Sequence, residues 1–135
     1  MSVTLTDQDK STLRTAAYGA VALMAAADAT GKPGKVAAEG SVALTSATGL
    51  VGHVLADYPK ESDLSGKSVA DIADRVLPDL TAAMALLKKQ DPAEAANFRT
   101  AVLVAVETAA RAAKGQPSPV LVDMNRKITE ALDAA

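Results

Sequence analysis

Apolar residues recur along this chain at three- and four-residue spacing, in five stretches separated by breaks that contain glycine or proline. That spacing is the signature of α-helices that turn one face toward a core. In the first stretch Leu13, Ala17, Ala20, Met24 and Ala27 form one stripe. Thr6 supplies an N-cap, and Asp7 and Asp9 follow in the first turn, where free backbone N–H groups favour carboxylates. Thr30-Gly31-Lys32-Pro33-Gly34 stops this helix. A second helix is predicted over 35–57, although Gly40, Gly49 and Gly52 each cost about 1 kcal/mol relative to alanine in a helix interior. A buried strand over part of it is the alternative. In the helical reading, the glycines let a neighbouring backbone come close. Pro59 and the polar run 60–65 form the longest loop.

The third stretch has the clearest pattern. Ser68 with Asp71 resembles a capping box, and Val69, Ile72, Val76, Leu80, Ala83 and Leu87 line one face. Asp71, Asp74, Arg75, Asp79 and Lys88 take the others, and Pro78 predicts a kink or a division. The fourth helix opens with Asp91-Pro92-Ala93-Glu94 (cap, proline, capping-box glutamate) and ends at Lys114-Gly115. Val102 to Val106 is apolar on every side, which predicts a central position. The fifth follows Ser118-Pro119, with Leu121, Met124, Ile128 and Leu132 facing inward. The pattern therefore predicts an all-α, single-domain bundle of about five helices over 1–135.

Two stretches of the chain match each other. Leu13-Arg14-Thr15-Ala16 corresponds to Phe98-Arg99-Thr100-Ala101, and both enter alanine- and valine-rich helices. Those helices end in Gly31-Lys32-Pro33-Gly34-Lys35-Val36 and Gly115-Gln116-Pro117-Ser118-Pro119-Val120, followed at the same offset by Glu39 and Asp123. One deleted residue brings the halves into register. The expected arrangement is two similar helical hairpins around the helix that holds Pro78.

A helix ending in Ala25-Ala26-Ala27-Asp28, a glycine shortly after, and an acid opening the next helix resembles the tellurite-resistance TerB-like helical domains. The likeness covers Met24 to Glu39. It implies a helical fold and a cation held near the hairpin turn by acids, here Asp28 and Glu39. The turn in this chain carries Lys32 and Lys35, and Ala113 stands in the second unit where an acid would sit. The chain as a whole resembles small alanine-rich helical proteins of the actinobacterial type, a likeness that implies no chemistry.

Composition narrows the function. Thirty of the 135 residues are alanine and only 2% are aromatic, namely Tyr18, Tyr58 and Phe98. Small side chains favour helix and let helices approach closely. The absence of cysteine excludes disulfides, a thiol nucleophile and thiolate metal sites, and fits a cytoplasmic location. The start MSVTLTDQDK has no basic stretch followed by an apolar run, so no secretory leader is expected. A net charge of −2 and the shortage of aromatic stacking surfaces exclude nucleic acid as a partner. Gly40 to Ala56 carries no formal charge, but its serines, threonines and His53, bracketed by Glu39 and Asp57, predict a buried helix rather than a membrane span.

Few residues carry chemistry. His53 is the single histidine, which excludes a multi-histidine metal site within one chain. Glu39 falls on a similar face of an ideal helix but roughly 21 Å away along its axis, so the two share no ligand. Asp28, in the last turn of its helix, opposes the macrodipole; Lys32 and Lys35 are one solution, and a cation shared with Glu39 is the other. Glu107 interrupts an apolar helix four residues before Arg111. The pair predicts an i,i+4 ion pair, or else a buried carboxylate lining a pocket. No Glu-x-x-His, Walker loop, dinucleotide fingerprint or Gly-x-Ser-x-Gly occurs, so no catalytic residue or cofactor is assigned. The first functional expectation is a non-enzymatic scaffold that forms homo-oligomers. The alternative is a bundle that binds a small molecule, at Glu107, Arg111 or His53, or a cation at Asp28 and Glu39.

Overall fold

The structure, a computed structural model, describes residues 5–27, 33–56, 68–112 and 119–135. Among these it holds no strand and consists of α1 (Asp7–Ala27), α2 (Pro33–Thr45), α3 (Gly49–Leu55), α4 (Val69–Gln90), α5 (Pro92–Ala112) and α6 (Pro119–Asp133). The chain is therefore the expected helical bundle, with one helix more than the pattern predicted. Of the expected helix stop at 30–34, residues 30–32 lie outside the described residues, as do the expected loop at 59–65 and the Lys114-Gly115 stop.

The predicted stripes on α4 and α6 are buried. Ile72, Val76, Leu80, Ala83 and Leu87 enter the core from α4, and Leu121, Met124, Ile128 and Leu132 from α6. The side chain of Val69 lies outside the described set. Ser68 caps α4, its hydroxyl accepting from the Asp71 N–H at 3.1 Å. Pro78 neither divides nor ends α4. Pro78 removes the helical donor to the Asp74 carbonyl, and both residues lie on the exposed side of α4. The Thr81 hydroxyl, one turn on, donates to the Ala131 carbonyl at 2.7 Å and ties α4 to α6.

The arrangement differs from two hairpins wrapped on α4. Helices α1 and α5 each pack against all the others, whereas α4 rests on α1, α5 and α6. α1 pairs most extensively with α4, and α2 with α5. From Leu13 to Ala27, α1 is buried on nearly every side rather than along one stripe. Alanine and glycine make this possible: Gly19 lies so close to α4 that a Cβ there would stand 2.3 Å from Val76 Cγ2. α5 shares the centre, as its apolar run predicted, except that Val104 reaches the surface.

The single helix predicted over 35–57 is broken at Ser46-Ala47-Thr48. α2 ends in tight turns, with Ser46 N–H on the Ala43 carbonyl and Ala47 N–H on that of Leu44. α3 then begins at Gly49 with φ +73°, a left-handed backbone that glycine adopts without strain. Residues of α5 hold this corner. The Asn97 amide donates to the Thr48 carbonyl at 2.7 Å, and the Glu94 carboxylate accepts from the Val51 N–H at 3.1 Å. Glu94 is available because the Asp91 N–H, its expected capping-box partner, already donates to the Leu87 carbonyl. At the other end of α3 the Arg14 guanidinium donates to the Val54 carbonyl at 2.9 Å, and the Tyr18 hydroxyl donates to that of Leu55. Among the described residues, no helix is long and apolar enough to cross a membrane.

Candidate functional site

The residues singled out by sequence do not converge. Glu107 and Arg111 form the i,i+4 ion pair at 2.5 Å on the solvent face of α5, with side chains 60% and 75% exposed. Glu107 thus stands in water rather than in an interior pocket. His53 is exposed on α3, and its i+4 neighbour Asp57 lies outside the described residues. Glu39 is exposed on α2, a different helix from His53 once the break at 46–48 is present. Asp28 and Lys32 lie outside the described residues, as does the side chain of Lys35. No group of three or more metal-ligating side chains occurs among the described residues.

Two surface features stand out instead. The first is the outer face of the α2–α5 pair. The helices run antiparallel: Ala38 and Val42 sit beside Thr108 at one end, and Ser46 and Thr48 beside Asn97 and Thr100 at the other. Val42 is 64% exposed and Val104 49%. The strip between is alanine, serine and threonine, without charge from Thr45 to Thr100 across the pair. Glu39, Glu107 and Arg111 gather at one end.

The second feature is a cleft of about 470 Å³ where the end of α4, the start of α5 and the end of α6 meet. Met84, Ala95 and Leu132, all nearly inaccessible, form its floor, and Pro92 and Ala96 form a wall. Lys88, Arg99 and Asp133 ring the mouth. Arg99 meets Asp133 side-on, Nε to Oδ1 at 2.8 Å and Nη2 to Oδ2 at 3.3 Å. Lys88 Nζ donates to the Ala135 backbone oxygen at 2.8 Å. The hydrogen bond from Arg99, followed by the nearby cationic charges, holds the Asp133 carboxyl below the ordinary aspartate range. Further along α6, hydrogen bonds from Arg126 and then Lys127 lower Asp123 in the same way.

None of His53, Glu107 and Arg111 lines this cleft. Of its charged residues, the sequence pattern singled out Lys88 as a polar-face residue and Arg99 as part of the internal repeat, and gave no reason to pick Asp133. Arg99 belongs to the tetrapeptide that matches the one around Arg14, and each of these arginines holds the end of a later helix, that of α3 and that of α6. No spacing rule brings residues 88, 99 and 133 together. Comparison with known proteins gives the chain no relatives: no family model, curated protein or solved structure matches it.

Proposed function

We propose that this chain is a non-enzymatic helical interaction protein that self-associates through the outer face of α2 and α5. The observation that carries the reading is the uncharged strip centred on Val42 and Val104, the most exposed large apolar side chains on that face. A second copy is the occupant because copies of a chain with net charge −2 repel one another least where the surface is uncharged. An antiparallel helix pair set against its own two-fold copy also gives four-helix packing. A cytoplasmic setting, suited to a chain without cysteine, belongs to the same proposal.

The glycines of 35–57 contribute inside the protomer rather than at this face. Gly40 lies against Val21 and the Ala105 carbonyl, and Gly52 against the Ala47 backbone. A bulky residue at either would disturb the fold, so the test uses surface positions. Burying these valines in a dimer gains on the order of 1 kcal/mol each. The four valines of a two-fold dimer together gain about 4 kcal/mol, which the cost of association, about 4 kcal/mol or more, cancels. A dimer in the micromolar to millimolar range therefore draws its net stability from burial of the surrounding alanine, serine and threonine surface. Sedimentation equilibrium from about 10 µM to about 1 mM should show mass rising with concentration in the parent. Val42→Lys with Val104→Lys should hold it at the monomer. A parent that stays monomeric throughout sinks the reading.

The second reading is small-molecule binding, and the α4–α5–α6 cleft favours it. Its size lies within the range of ligand pockets, and it combines an apolar floor with a few convergent polar groups. For the cation reading carried by the TerB-like resemblance, Glu39 is the one described ligand, and it is exposed on α2. Thermal shift of the parent and of Asp28→Asn with divalent cations tests it; an identical response in both removes Asp28 from any cation site.

A further inference from the structure

We draw no further inference here: the strongest candidate, the α4–α5–α6 cleft, belongs to the small-molecule reading already described, and its solvent-exposed, paired mouth charges and aliphatic floor choose no ligand class.

Discussion

Gly19→Ala, in the middle of α1, sets helix propensity against packing. On propensity alone the change stabilises by about 1 kcal/mol, because alanine loses less backbone entropy than glycine. The structure opposes it. A Cβ at position 19 would lie 2.3 Å from Val76 Cγ2 and 3.1 Å from Cγ1, and Val76 is completely buried. Rotating Val76 gives little relief, since a helical valine holds one strongly preferred χ1 and both its methyls face the intruder. Overpacking of this kind costs about 1–3 kcal/mol. With propensity subtracted, the expected result is a net loss of about 1 kcal/mol. Val76→Ala alone removes two buried methyl groups and should cost about 2 kcal/mol. In the double variant the new Cβ enters the space that Val76 vacates, leaving only its 3.3 Å approach to Cβ of residue 76. The double variant should then be about 1 kcal/mol below the parent, roughly 2 kcal/mol better than additivity. Urea unfolding of the four proteins at constant slope measures each quantity. Additivity within about 0.5 kcal/mol, or stabilisation by Gly19→Ala alone, would refute close α1–α4 contact as the reason for the glycine.

Two further outcomes probe other parts of the core. Thr15 is 1% exposed and its hydroxyl has no hydrogen-bond partner among the described residues. Thr15→Val keeps the shape, removes the desolvated oxygen and should stabilise by about 1 kcal/mol, a rise in Tm of about 4 °C. Thr15→Ser, which keeps the oxygen and loses the methyl, should destabilise; a lower Tm for Thr15→Val shows that the hydroxyl has a partner after all. Glu94→Ala removes the carboxylate that accepts from the Val51 N–H and should cost about 1 kcal/mol. A seven-residue helix has little stability of its own, so the loss should appear as faster amide exchange confined to 49–55. Unchanged exchange at Val51 would remove Glu94 as the cap.

Helix identity along most of this chain was determined by sequence, because apolar spacing and end signals are local. Ser68, Asp91 with Pro92, and Pro119 mark helix starts through contacts no more than three or four residues long. The buried stripes of α4 and α6 follow from the same local geometry. The tertiary structure decided where the meaning of a residue depends on what packs against it. Alanine and glycine look alike on every side of a helix, so the sequence shows a stripe on α1 where the structure shows burial all round. The break of 35–57 into α2 and α3 is legible in its glycines only after Glu94 and Asn97 of α5 are seen to hold the corner. The candidate sites divide in the same way. The Glu107–Arg111 pair is local, and sequence found it. The cleft edged by Lys88, Arg99 and Asp133 joins three helix ends, and an apolar floor shared by three helices has no periodicity within any one of them.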